Sequence, residues 1–479
     1  MIIGKLLLCA ALAGGVACTA QSRIVLKSGE LTFTAETQGF RYGFAWGTKS
    51  VVSADRSAGL LLAGSPVNVK PEGICAASRC VLMGTSDAGA KVRITVILQA
   101  HHAELTAEPA HVGDEVKFVS GGAAPAFGLA DHAVEQSKFS TLENKQFNTD
   151  VTGFADDAFL SGQGLTRLVS NFVIYPKQGF AELLIDPFTK IVHTSGTQIV
   201  QGVQHAGARV PLHYFFGTPH EIYLEYLRAR NEAGFKVMMP KYEAFGVGWE
   251  AFGALGWNTN AKTVRESVDH YLAAGYPLKW IVIGSGFWPA PPEMHETTSF
   301  GLWDKEKYPD PAALLTHFHD ENLKTMLGLR ITFITTGPYS AEGVKKGYFM
   351  MKDGQPQVFK GGWPKMPYYL LEAHNPAALD WYMGLVKKWN DYGIDGYKED
   401  FYGYGGYGLR DDKVDPTNDR LMAEGKIVIE RNGYLSSNGD LHRINDFNYN
   451  QNQDRGPVNS LALAYAGFPL VYPDIVGGT

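Results

Sequence analysis

Cysteine is scarce in this chain. Four occur among 479 residues, and two of them, Cys9 and Cys18, lie in the first twenty. The remaining pair, Cys75 and Cys80 in CAASRC, has no further metal-ligating side chains nearby, which argues against a metal site and for a small loop-closing disulfide in an exported protein. Basic charge is not in excess: the formal net charge is −6, so a nucleic-acid-binding surface is not expected. Long apolar runs are missing after the N-terminus, so no membrane span is expected. Internal repeats and low-complexity tracts are absent too.

What is present is a large, ordinary core. Hydrophobic residues make up 45% and charged residues 19%, a globular balance with length for two or three domains. Aromatics reach 12%, as in sugar-stacking clefts, although core burial accounts for most such residues. The first twenty residues, MIIGKLLLCAALAGGVACTA, read as a signal peptide: Lys5, an apolar run from Leu6 to Ala17, and a small-residue cleavage site before Gln21. That predicts a secreted or periplasmic protein. A lipid-carrying Cys18 is the weaker alternative, because Gly15 stands where such signals usually have Leu.

Two periods divide the rest. Residues 21–235 alternate apolar and polar in short runs broken by Gly, Pro, Asn and Asp, which predicts an antiparallel β-sandwich. HEIYLEYLRARNEAGF (220–235) is helical and marks the junction. From 236 to 479 strands and helices alternate, the signature of a parallel sheet and of a TIM-type (β/α)8 barrel. TVRESVDHYLAAG is a helix with Asn260 as a possible cap, and NPAALDWYMGLVKKWNDYG is one capped by Asn375, with Pro376 in its first turn and Gly393 at its end. With YEAFGVGW as the first strand, seven strands can be counted where a closed barrel has eight. The expectation is a barrel incomplete at the C-terminal end, poorly soluble and weakly active as it stands, since unpaired strand edges invite aggregation.

One segment carries three charges in a row. GIDGYKEDFYGYG arrives off a helix as a buried strand, then meets Lys398, Glu399 and Asp400. Alternate strand residues share a face, so Lys398 and Asp400 point one way and Glu399 the other. At the C-terminal end of a barrel strand the inward face opens on the active site. A lysine beside such an aspartate favours its ionised, nucleophilic form. A structural ion pair is the competing explanation.

This segment resembles the G-x-D-G-x-K-x-D-F motif of glycoside hydrolase family 31, whose catalytic nucleophile maps onto Asp400. The resemblance extends in order through FGLADH (127–132), YFFGTPHEIYLEYL (214–227), LWDKEKYPDPAALLTHFHDENLKTMLGL (302–329), HNPAALDWY, RNGY (431–434) and GFPLVYPDIVGG. It implies a retaining α-glycosidase of α-glucosidase or α-galactosidase type, with two carboxylates roughly 5–5.5 Å apart and neither cofactor nor metal. The family's acid/base aspartate is assigned to Asp446 in RINDFN; Asp440 and Asp454 are the alternatives. Lys398, Arg431, Asp474, Trp288 and Trp303 are candidate substrate contacts, with Trp257 a further stacking candidate.

In one place the chain departs from the family pattern. PLKWIVIGSGFW puts Gly284 and Gly286 where sugar-binding aspartates are expected, which implies an altered pocket, for galactose or a substituted sugar rather than plain glucose. Glu250, near the end of the first strand, is a candidate with no family role. Two other functional classes stay open: a non-catalytic carbohydrate-binding relic, and a transglycosidase or lyase on the same scaffold.

Overall fold

The computed structural model describes residues 23–53, 59–121, 125–132, 146–148, 165–185, 190–194, 198–203, 206–284, 287, 300–301, 303–361, 366–399, 413–430, 433–443, 460–461, 463–468 and 470–472. Residues 1–22, which hold the expected signal peptide, and the candidates Trp288, Asp400, Arg431, Asp446, Asp454 and Asp474 lie outside the described residues, as does Gly286.

The N-terminal half is antiparallel β-structure. Arg23–Ser28, Leu31–Glu36, Tyr42–Trp46 and Lys49–Val52 form a four-stranded sheet in chain order. Its buried face packs on a larger sheet of fourteen strands. Alternation sets that face: in RIVLKS, Ile24 and Leu26 are buried while Arg23, Val25 and Lys27 are exposed. Phe44 bridges the two layers, its ring 4.8 Å from that of Tyr214 and 5.1 Å from that of Phe216. Cys75 and Cys80 are joined by a disulfide.

Helix α1 (Pro219–Glu232) links the halves. Thr218 and Glu221 form a reciprocal capping box at its start. Its inner face then grips a stretch near the end of the chain. Tyr223 and Tyr226 donate their hydroxyls to the carbonyls of Tyr465 and Ala466, and buried Arg230 donates to that of Gly467 at 3.1 Å. The two halves also share strand pairing, since Gly433–Tyr434 runs parallel to Leu168 and Val169.

The second half is a seven-stranded, all-parallel sheet in strict chain order. Its strands are β1 (Val247–Glu250), β2 (Leu278–Val282), β3 (Lys324–Leu329), β4 (Gly396–Glu399), β5 (Ile427–Glu430), β6 (Leu441–Arg443) and β7 (Val471–Tyr472). Helices α2 (Ala261–Ala273), α3 (Pro311–Asp320), α4 (Pro376–Asn390) and α5 (Pro416–Ala423) are each capped by an Asn or Asp side chain. The strands are buried on both faces. Ile281, Leu327, Tyr397 and Val428 pack outward against the helices, while Trp280, Val282, Met326, Ile427 and Ile429 fill the interior.

Two expectations need correction. The first strand is Val247–Glu250 rather than all of YEAFGVGW, because Tyr242–Ala244 forms a 3-10 turn. The barrel also carries an excursion that strand–helix alternation did not anticipate: Thr332–Ile334, Phe359–Gly361 and Met366–Leu370 form an antiparallel sheet between β3 and α4.

Candidate active site

Charge gathers at the C-terminal ends of the barrel strands. Lys398 points inward from β4, as alternation requires, because Tyr397 on the opposite face belongs to the helix-packed layer. Its side chain is 2% exposed and its ammonium reaches Oε2 of Glu250 at 2.5 Å. Glu250 closes β1 and is 12% exposed. Tyr472, the last residue of β7, donates its hydroxyl to the same carboxylate oxygen at 3.0 Å. The Lys398 ammonium also stands 5.6 Å from the Tyr472 ring centroid. Residues from the first, fourth and seventh strands thus meet, which curls the sheet around a common interior.

The partners explain how a buried lysine is tolerated: an unpaired charge there would cost several kcal/mol, and the Glu250 carboxylate offsets that. Below the cluster the interior is apolar. The Trp280 ring lies 5.6 Å from that of Tyr472 and donates its indole N–H to the carbonyl of Ala244. A floor of this kind lowers the local dielectric and strengthens every charge interaction above it. Arg443 ends β6, buried and in register with Tyr472, and adds positive charge to the same rim.

The sequence candidates separate. Lys398 is at the rim. Trp303 is not: its ring packs at 5.0 Å on Phe287, 5.3 Å on Tyr308 and 5.7 Å on Tyr392, partly buried against the layer between sheet and helices. Trp257 packs edge-on to Phe252 at 5.0 Å. Asp440 precedes β6 at the opposite, N-terminal end. It is fully buried, accepting from the backbone N–H groups of Lys241 at 2.7 Å and Val428 at 2.8 Å and from the Lys241 ammonium at 3.3 Å. That is a structural carboxylate, facing away from the mouth. Glu430 and His442, paired at 2.5 Å, are likewise buried and lie on the outward face of their strands.

Sequence reasoning named Glu250 as a candidate without a family role and passed over Tyr472 and Arg443. The one signal for Glu250 was a charged residue closing an apolar strand, the same signal that drew attention to Lys398. Among the described residues no group of three His, Cys, Asp or Glu side chains could hold a metal ion, and no helix is long and apolar enough to cross a membrane.

Known proteins resemble this chain in sequence and in fold. The α-xylosidase XylQ of Lactiplantibacillus pentosus is 24% identical over 243 residues, which is 50% of this chain and 30% of that protein. An α-xylosidase of Emericella nidulans is 30% identical over 145 residues, 30% of this chain and 18% of its own length. These matches therefore span less than a third of either relative. Among solved structures, a family 31 sulfoquinovosidase from E. rectale, in complex with an aza-sugar inhibitor, superposes with a TM-score of 0.65 at 13% identity, covering 95% of this chain and 69% of that one. A family 31 α-xylosidase from a soil metagenome, complexed with xylose, gives a TM-score of 0.57 at 15% identity over 95% of this chain and 71% of its own. At such identities the likeness concerns the fold. The family itself follows from the barrel sequence: residues 237–454 match the glycosyl hydrolases family 31 TIM-barrel domain, and the barrel of this chain belongs to that family.

Proposed function

We propose that the chain is a retaining α-glycoside hydrolase that removes terminal α-linked sugars by double displacement. The observation that carries this reading is the Glu250–Lys398–Tyr472 cluster at the C-terminal mouth of a family 31 barrel, where barrel enzymes do their chemistry. Sequence alternation, which pairs Asp400 with Lys398 two residues before it, supports Asp400 as the nucleophile. Asp400 attacks the anomeric carbon to form a glycosyl ester, while Asp446, three residues beyond Arg443, gives its proton to the departing oxygen. Asp446 then takes a proton from the water that attacks the same carbon, and Asp400 leaves as carboxylate.

The substrate order rests on two supports. Both sequence relatives named above are α-xylosidases. Gly284 also offers no carboxylate where a glucose-selective pocket of this family has one. We therefore rank α-xylosides first, α-galactosides next and plain α-glucosides last. The leader and the Cys75–Cys80 disulfide favour an exported location. Assaying the purified protein on nitrophenyl α-glycosides of several sugars tests the reading. Turnover highest on the xyloside supports both the reading and the order, and highest on the galactoside keeps the glycosidase reading but overturns the order. Preference for the glucoside refutes the order, and binding of sugar without turnover of any glycoside makes the chain a carbohydrate-binding relic.

A further inference from the structure

The missing carboxylate at the end of β2 has a physical cause. Gly284 has φ +76°, a conformation that a residue with a side chain rarely adopts. A Cβ at this position would stand 2.7 Å from the Cβ of Phe252, inside any tolerable contact. An aspartate cannot be accommodated without moving the backbone. The same hypothetical Cβ would stand 3.0 Å from Oε1 of Glu250. So the space beside Gly284, where a strand-two carboxylate would begin, is already reached by a carboxylate from strand one.

The two oxygens of Glu250 are used unequally. Oε2 accepts from the Lys398 ammonium and from the Tyr472 hydroxyl. Oε1 takes no hydrogen bond among the described residues. The first oxygen is what fixes the side chain; the second is held in place by the same two contacts and accepts nothing among the described residues. Lys398 and Tyr472 come from strands far apart in the chain, so the position of Oε1 is set by the barrel rather than by a loop.

We propose that Glu250 is the sugar-binding carboxylate of this pocket, its Oε1 accepting a hydroxyl of a neutral pyranose in place of the aspartate that Gly284 excludes. This rests on the glycosidase reading for its biological sense and on the geometry of β1 and β2 for its content. A carboxylate offers acceptors only. It therefore selects a sugar that presents a hydroxyl there and disfavours one that presents a sulfonate or carboxylate. Glu250 is a substrate contact in this account, with Lys398 and Tyr472 as positioning residues.

The test is binding of free monosaccharides, which does not depend on turnover. Xylose, galactose and glucose, and the monodeoxy derivatives of whichever binds best, are titrated calorimetrically into wild type and Glu250→Gln. A hydrogen bond to a charged group is worth about 1.5–3 kcal/mol, or about 10- to 150-fold in affinity. The expected result is a loss in that range for Glu250→Gln, matched by one monodeoxy sugar on the wild type and not compounded when the two are combined. The deoxy series on the wild type stands alone should the variant fold poorly. Equal affinity of both proteins for every pyranose, losses that compound, or no binding by the wild type overturns the assignment. Nitrophenyl glycoside turnover is read in parallel. Sugar binding lost in Glu250→Gln with no turnover by the wild type sinks the glycosidase reading and leaves Glu250 standing.

Discussion

Glu182 gives a quantitative test of the sandwich that supports the barrel. It lies in the strand Phe180–Leu184, paired opposite Tyr214 and 1% exposed. Gln201 donates to its Oε2 at 3.2 Å, but Oε1 of Glu182 and Oε1 of Gln201 both lack a partner. A protonated carboxyl is neutral and costs far less to bury than a carboxylate with one oxygen unpartnered. Burial pushes Glu182 from the ordinary 4.5 up to about 8, against the opposing hydrogen bonds from Ser120 and Gln201. The folded state therefore keeps a proton that the unfolded chain releases. Stability is full below the unfolded value near 4.5 and declines as pH rises towards about 8. At pH 7 the decline is two and a half decades of proton activity, or about 3 kcal/mol. Glu182→Gln keeps the shape, supplies an amide donor and cannot ionise. It should gain about 3 kcal/mol at pH 7, a rise of about 6–12 °C in Tm for a domain of this size, and little at pH 4.5. Burial holds His102 at about 3 and His213 at about 4, which makes stability fall with pH below the ordinary 6.5, so the variant-minus-wild-type difference is the quantity to follow. Thermal melts of both proteins from pH 4.5 to 8 measure it. Parallel curves would refute the buried, protonated carboxyl.

Other expectations concern catalysis and the domain junction. Asp400→Asn should lower turnover by about 10⁴-fold or more with Tm unchanged, because it removes a nucleophile and not a core contact; near-wild-type turnover would exclude that role. Asp446→Ala should cripple substrates with poor leaving groups and spare activated aryl glycosides, with external azide rescuing the second step. If Asp454→Ala behaves this way instead, the acid/base is Asp454. Tyr226→Phe removes one of two hydroxyl donors to the Ala466 carbonyl, and Ser170 retains the other at 3.0 Å. The cost in urea unfolding should be about 1 kcal/mol, and a loss above about 3 kcal/mol would mean that the junction does more than hold one carbonyl.

The regular parts of the fold were legible because each rests on a local rule. Asn260 and Asn375 both cap the helices that follow them, accepting backbone N–H groups of the first turn. Strands β2, β3 and β5 are short, largely apolar runs, and KTMLGL matches β3 residue for residue. The antiparallel excursion was not legible. MPYYL is only half-buried at Met366, Pro367 and Tyr369, shows no clean alternation and carries a proline, and its partners begin at Thr332 and Phe359. Pairing at that range leaves no periodic trace in the sequence. The packing of Trp303 was not legible for a related reason: a tryptophan between two strands reads alike whether it faces a cleft or packs on Phe287 and Tyr308.

The candidate site shows the same divide more sharply. Motif spacing alone left Asp440, Asp446 and Asp454 competing for one role, because distance along a chain does not say which end of a strand a residue occupies. The structure removes Asp440 on that ground: it stands before β6, where backbone amides of Lys241 and Val428 consume its oxygens. The converse holds for Glu250. Its partner Lys398 lies 148 residues away and Tyr472 lies 222 away, so no local pattern could have joined them. Reading Gly284 as a lost carboxylate was possible from the sequence. Seeing that Phe252 and a positive φ forbid its return, and that a glutamate on the neighbouring strand reaches the same space, requires the barrel to be folded. A strand end is therefore a better unit of comparison than a motif column in this barrel, because adjacent parallel strands deliver their last inward side chains into one shared volume, and a carboxylate lost from one strand can be supplied by the next.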